Sequence, residues 1–124
     1  MDLKIKGQTF IVTGVTSGFG RSVAEQLMEN EANVFGVARR GELLSEMKYK
    51  YDSRFEYLAA DITKQGAIDK LIDYLGVTEI QGVFVNAGGP PAKSFIETEM
   101  SDWDSAYNNL LRWKVELVKK LIPG

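Results

Sequence analysis

The sequence predicts an α/β fold, a parallel sheet carrying helices on both faces, and three observations lead there. Apolar runs of strand length alternate with segments of helical periodicity along all 124 residues. The first strand, Gly7 to Thr13, is apolar on both faces, as a parallel strand between two helical layers must be. The stretch Thr13-Gly14-Val15-Thr16-Ser17-Gly18-Phe19-Gly20 then joins that strand to an amphipathic segment. A strand, a glycine turn and a helix start present unpartnered backbone N–H groups at the positive end of the helix dipole, where a phosphate is stabilised.

Composition narrows the function classes. With 44% hydrophobic and 26% charged residues, one core and a single domain over residues 1–124 are expected. A net charge of -2 without a basic block argues against nucleic acid or an anionic membrane as partner. The absence of cysteine removes disulfides, thiol chemistry and cysteine metal sites, and no metal site is read elsewhere. The absence of histidine excludes a Ser/His/Asp triad. The start Met1-Asp2-Leu3-Lys4-Ile5-Lys6 lacks a signal-type apolar core and no run reaches membrane-spanning length, so a cytoplasmic location is expected.

After the glycine turn, Phe19, Val23, Ala24, Leu27 and Met28 recur at the spacing of one helical face and predict a helix covering the sheet. Asn30 is expected to close it in a left-handed cap. Asn33 to Ala38 is the second strand, followed by Arg39-Arg40. In dinucleotide folds a carboxylate near this strand end bonds the ribose hydroxyls, whereas an arginine pairs with a 2′-phosphate. Arginine suits phosphate because its planar fork donates to two oxygens at once, so the charge logic favours NADP(H) over NAD(H). For Arg40 a merely solvated turn is an equal alternative.

Glu42 to Tyr51 predicts a helix with Leu43, Leu44, Met47 and Tyr51 inward, and Arg54 to Ala59 a third strand. Asp61 or Thr63 is expected to cap the next helix, with Thr63 the better candidate and Asp61 then free. That helix has Ile68, Leu71, Ile72 and Leu75 on its inner face and Gly76 as its stop. Gln81 to Asn86 is the fourth strand. Met100-Ser101-Asp102-Trp103 starts the last helix, with Ser101 as its cap and apolar positions running on through Tyr107, Leu110, Leu111, Leu117, Val118 and Leu121. Lys114 falls within the stripe of Trp103, Leu110, Val118 and Leu121. Its charge either snorkels to water or marks a surface whose cover is missing.

The spacing of Gly14, Gly18 and Gly20 is GxxxGxG, neither the commoner GxGxxG nor the GxxxxGK[ST] of a P-loop. Led by Thr13 and followed in order by Ala38-Arg39, Ala60-Asp61-Ile62 and Val85-Asn86-Ala87-Gly88, it resembles the short-chain dehydrogenase/reductase family over essentially the whole chain. Gly89-Pro90-Pro91 and Phe95 resemble the 3-oxoacyl-[acyl-carrier-protein] reductase-like members. The resemblance implies a Rossmann-type sheet of strand order 3-2-1-4, incomplete relative to the family, with strand four an apolar edge of Val83, Phe84 and Val85. It implies that Gly14, Gly18, Phe19 and Gly20 admit the pyrophosphate and that Thr16 and Ser17 face the ribose and 2′-phosphate. Arg39, joined by Arg40, would pair with that phosphate. Asp61 and Ile62 would border the adenine, and Asn86, Ala87 and Gly88 would flank the ribose and nicotinamide. It also makes Trp113 and Leu117 candidates for a partner-facing strip, against ordinary core packing.

Departures from the family pattern are specific. Glu31 stands where a glycine is usual, Val85 replaces the first asparagine of NNAG, and Leu110 occupies the place of the family's catalytic asparagine. Asn108 and Asn109 sit just before it, but one residue turns a helical side chain by about 100°. The family's tyrosine, lysine and serine chemistry is expected to lie beyond this sequence, since no YxxxK occurs at any of the five tyrosines. No catalytic residue is therefore assigned. Three readings follow: the NADP(H)-binding portion of such an enzyme, inactive alone; a stand-alone dinucleotide-binding module; or an assembly protein with a relic site. A homo-oligomer or a missing carboxyl-terminal half is the expected partner.

Overall fold

The computed structural model describes residues 4–16, 18–86, 99–101 and 112–121. Among these, β1 (Thr9–Thr13), α1 (Gly18–Glu29), β2 (Asn33–Ala38), α2 (Gly41–Tyr51), a 3-10 turn (Asp52–Arg54), β3 (Phe55–Ala59), α3 (Ala67–Leu75), β4 (Gly82–Phe84) and α4 (Trp113–Leu121) follow in chain order. The strands form one parallel sheet in the order β3-β2-β1-β4. Register pairs Thr13 with Val37, Ala38 with Ala59 and Val12 with Phe84. All four strands therefore end at the same edge of the sheet, where a parallel α/β fold holds its ligands.

Alternation along β1 divides the core. Ile11 packs with Phe35, Val37, Leu71 and Leu117 on the face covered by α3 and α4. Val12 packs with Ala24, Met28, Leu44 and Phe55 on the face covered by α1 and α2. Both residues are fully buried, which explains the two-sided apolar run of this strand.

Several local expectations are corrected. β1 begins at Thr9 rather than Gly7, β3 at Phe55 rather than Arg54, and β4 covers only Gly82–Phe84. Asn30 does not take the left-handed position after α1; Glu31 does, at φ 67°. Ala32 N–H reaches Leu27 C=O and Glu31 N–H reaches Met28 C=O, both at 3.0 Å, the paired bonds of a Schellman cap. The geometry fixes which residue must be left-handed, and here it falls on a side chain that strains it.

Neither Asp61 nor Thr63 caps α3, whose cap is Gly66 at φ 84°. Asp61 is also not free: its Oδ1 accepts from Thr63 N–H at 3.0 Å and from Thr63 Oγ1 at 2.6 Å. The side chain closes a local turn, a competing use of aspartate. Gly76 ends α3 as expected, at φ 58°.

On α1 the apolar stripe divides. Gly20, Ala24 and Met28 are buried, whereas Phe19 is 79% exposed and Val23 and Leu27 are half-buried. Met100 and Ser101 are already helical, so Ser101 lies inside its turn rather than capping it. Trp113 and Leu117 are core residues, 2% and 0% exposed, so they form no partner-facing strip. The inward stripe of α4 is therefore Trp113 and Leu117, with half-buried Leu121 packed against the same core, and Val118 lies outside it at 43% exposure. Lys114 is half-buried with Nζ 5.8 Å from the centre of the Trp113 ring. The expectations for Gly89-Pro90-Pro91, Phe95, Trp103, Tyr107, Asn108, Asn109, Leu110 and Leu111 lie outside the described residues.

Candidate nucleotide site

The site begins with the turn that leaves β1. Gly14 and Gly18 have φ of 60° and 57°, and Gly20 enters the first turn of α1 buried. A Cβ on Gly20 would lie 2.2 Å from the Gly14 carbonyl oxygen and 3.0 Å from Asn86 Nδ2. A Cβ on Gly14 would lie 3.0 Å from the same amide nitrogen and 3.1 Å from the Asn86 carbonyl oxygen. Gly14, Gly20 and the Asn86 amide thus occupy one packed cluster that admits no further carbon. Gly18 differs, having nothing within 4 Å of a Cβ there, so its requirement is conformational.

Thr13 holds the fourth strand to this cluster. Its Oγ1 accepts from Asn86 N–H at 2.7 Å and donates to the Asn86 carbonyl at 2.9 Å, and the residue is fully buried. One hydroxyl thereby fixes the end of β4 beside the glycine turn. Sequence reasoning did not single out Thr13 as a strut. The available signal was a hydroxyl at the carboxyl end of an otherwise apolar strand. Val15 N–H reaches Val37 C=O at 3.4 Å, tying the same loop to the end of β2.

Arg39 and Arg40 follow β2 and are exposed; Arg40 is also the residue preceding α2, without a side-chain cap bond. Ala38 is 9% exposed, and Ala60 N–H donates to its carbonyl at 2.8 Å, which sets the β2 and β3 ends side by side. Asp61 follows β3. Burial pushes its carboxyl pKa up, but the two Thr63 hydrogen bonds, with positive charge from Arg39 and Lys64, outweigh burial and hold it below the ordinary aspartate value. It therefore stays anionic and within electrostatic reach of Arg39. The Ile62 side chain is 9% exposed and packs in the core with Phe35 and Ile68, so only its backbone remains for the site. Thr16 is half-buried in the turn; Ser17, Ala87 and Gly88 lie outside the described residues.

The ends of β1, β2, β3 and β4 thus bring together a helix N-terminus, a close-packed glycine turn, a guanidinium, a carboxylate and an amide. Such a set fits a nucleotide with phosphate near the glycines and a base near Asp61. Among the described residues no cluster of three or more Asp or Glu is arranged to hold a metal ion.

A sequence profile described as short chain dehydrogenase matches residues 8–123. The chain belongs to the short-chain dehydrogenase family. It is 32% identical over 122 residues to an uncharacterized oxidoreductase of Saccharomyces cerevisiae, covering 94% of this chain and 48% of that protein. Against the 3-oxoacyl-[acyl-carrier-protein] reductase of Aquifex aeolicus it is 28% identical, covering 84% of this chain and 44% of the other. The crystal structure of L-sorbose reductase from Gluconobacter frateurii, complexed with NADPH and L-sorbose, superposes with a TM-score of 0.87 at 25% identity, over 96% of this chain and 48% of that one. The chain spans about half the length of the curated relatives it matches. It is a short-chain dehydrogenase fold of the nicotinamide-dinucleotide-binding class, and no helix among the described residues is long and apolar enough to cross a membrane.

Proposed function

We propose that this chain is the NADP(H)-binding portion of a short-chain dehydrogenase/reductase that interconverts carbonyls and alcohols, and that it does not transfer hydride by itself. The observation that carries the reading is the convergence of Gly14, Gly20 and Asn86 at the ends of β1 and β4, beside an arginine pair where β2 ends in Ala38 rather than in a carboxylate. The glycine turn and the first N–H groups of α1 receive the pyrophosphate, with Thr16, Ser17, Gly18 and Phe19 along its path. Arg39 donates to the 2′-phosphate, assisted by Arg40. Asp61 and the Ile62 backbone border the adenine, and Asn86, Ala87 and Gly88 flank the ribose and nicotinamide. Phe19 enters through its backbone, since its ring stands away from the protein.

The bound dinucleotide would supply the hydride; these residues bind and orient it. A phenol, with pKa near 10, needs neighbouring positive charge to exchange protons near pH 7. No tyrosine of this chain has a lysine four residues on, so the proton-handling group is assigned to residues outside it. The NADPH in the sorbose reductase complex supports the cofactor choice. Calorimetric titration of the purified chain with NADPH and NADH tests the reading. Tighter binding of NADPH, without turnover of a carbonyl substrate, is expected. Equal affinity for the two, or no binding by the folded chain, would remove it.

A further inference from the structure

The chain around Asp61 is anchored on both sides. Ala60 N–H donates to the Ala38 carbonyl at 2.8 Å, the Ile62 side chain is buried in the core with Phe35 and Ile68, and Lys64 N–H donates to the Asp61 carbonyl at 3.0 Å. The side-chain torsions of Asp61 remain to be set, and Thr63 sets them. Its N–H and its Oγ1 both donate to Asp61 Oδ1, at 3.0 and 2.6 Å. Two donors on one oxygen constrain the plane of the carboxylate as well as its direction, where a single donor would let it pivot. Thr63 is not spent on the helix that follows, because Gly66 takes the cap position of α3. The two bonds also divide the carboxylate. Oδ1 is committed to the turn, whereas among the described residues no hydrogen bond ends on Oδ2. Arg39 acts on Asp61 through its charge and not through a hydrogen bond, so its guanidinium stays available to a phosphate. An ionised carboxylate has acceptor sites only, so Oδ2 takes a donor and nothing else.

We propose that Thr63 is a positioning residue for the base: by holding Asp61 Oδ1 it presents Oδ2 as a fixed acceptor, and the site thereby selects a 6-aminopurine nucleotide over a 6-oxopurine one. The inference rests on the proposed function, in which Asp61 borders the adenine, and adds what orients that carboxylate. A nucleotide whose 2′-phosphate lies on Arg39 carries its base on the same ribose, and the ends of β2 and β3 are neighbours in the sheet, with Ala38 paired to Ala59. The exocyclic amino group of adenine supplies the donor that Oδ2 requires. Hypoxanthine carries a carbonyl oxygen at that place, an acceptor facing an acceptor.

Calorimetric titration of the purified chain with NADPH and with its deamino analogue, in which hypoxanthine replaces adenine, tests the proposal. Wild type is expected to bind NADPH at least about tenfold tighter than the analogue, because the site is built to accept a hydrogen bond that the analogue cannot donate. Thr63→Val keeps the backbone donor but sets a methyl group where Oγ1 lies 2.6 Å from Oδ1, closer than carbon tolerates. The carboxylate then swings, and the tenfold ratio should fall at least about threefold, through weaker binding of NADPH. Thr63→Ser, which keeps the hydroxyl, restores the ratio. Asp61→Asn checks the same geometry with Thr63 intact: the amide oxygen takes the two Thr63 bonds, Nδ2 stands as a donor in place of Oδ2, and the preference should turn toward the hypoxanthine analogue. An unchanged ratio in Thr63→Val, or an unchanged preference in Asp61→Asn, overturns the proposal, since a turn that serves only the backbone moves neither. Equal binding of the two purines by wild type overturns it as well. Titration with NADH separates the two readings. Preference for NADPH over NADH without purine discrimination removes the role of Thr63 and leaves Arg39 in place, whereas purine discrimination without that preference removes the NADP assignment and leaves Thr63. No binding of any dinucleotide by the folded chain overturns both.

Discussion

Thr13→Val replaces a hydroxyl by a methyl group of similar shape at the strut between β1 and β4. It removes the bond accepted from Asn86 N–H at 2.7 Å and the bond donated to the Asn86 carbonyl at 2.9 Å. Each net hydrogen bond contributes about 1–1.5 kcal/mol, so both together bound the loss at about 3 kcal/mol, and because half-buried Asn86 recovers part of its bonding from water a loss of about 2 kcal/mol is expected. Thr13→Ser keeps the hydroxyl and loses one buried methyl, a cost of about 1 kcal/mol. Urea unfolding of wild type and both variants measures the difference, and the melting temperature should fall by roughly 4 °C per kcal/mol. Because Asn86 packs against Gly14 and Gly20, nucleotide affinity should fall with Thr13→Val and survive Thr13→Ser. A Thr13→Val protein as stable as Thr13→Ser, with affinity intact, would refute the strut.

Gly20→Ala brings a carbon to 2.2 Å from the Gly14 carbonyl and should reduce NADP(H) affinity at least about tenfold, with about 1–3 kcal/mol of destabilisation; Gly18→Ala, without a clash, should cost only about 1 kcal/mol in urea unfolding. Glu31→Gly should raise stability by up to about 1 kcal/mol, because the left-handed position is relieved and the exposed pairs to Lys6 and Arg54 contribute little. Ala38→Asp combined with Arg39→Ala should shift calorimetric preference from NADP toward NAD, and unchanged selectivity would take the phosphate from Arg39. Asp61, with its folded pKa below the unfolded value, contributes stability that is fully present above about pH 4 and is lost as pH falls through the folded value. Asp61→Asn should flatten that acid-side fall in a pH series of unfolding curves.

The bounds of β2 and the end of α3 were legible because each rests on a local signal, an apolar run and a glycine where the chain turns left-handed, whereas the strand order came from the family resemblance. Gly14, Arg39, Asp61 and Asn86, which the family resemblance assigns to the cofactor, each follow a strand end, and parallel register brings those ends to one edge of the sheet. Harder to read were choices made by tertiary geometry. Glu31 takes the left-handed position because the Schellman bonds count residues from the helix, whatever side chain falls there. Asp61 turns onto Thr63 because a short side chain can serve a local turn as readily as a helix cap. Periodicity placed Phe19 on the apolar face of α1, but a wheel alone does not separate the buried centre of a stripe from its flank. The Thr13 strut had only a faint signal, a hydroxyl at the end of an apolar strand, because its partner, Asn86, lies on the far side of two intervening strands in sequence.

The most direct test of the nucleotide site is the pattern of amide chemical-shift changes when NADP+ is added to the labelled chain. The account predicts changes concentrated at the four strand ends, at Gly14 to Gly20, Arg39 to Gly41, Asp61 to Thr63 and Asn86, with the opposite edge around Gln8, Ala32 and Arg54 unchanged. No saturable change at those strand ends, or changes confined to another surface, would contradict it.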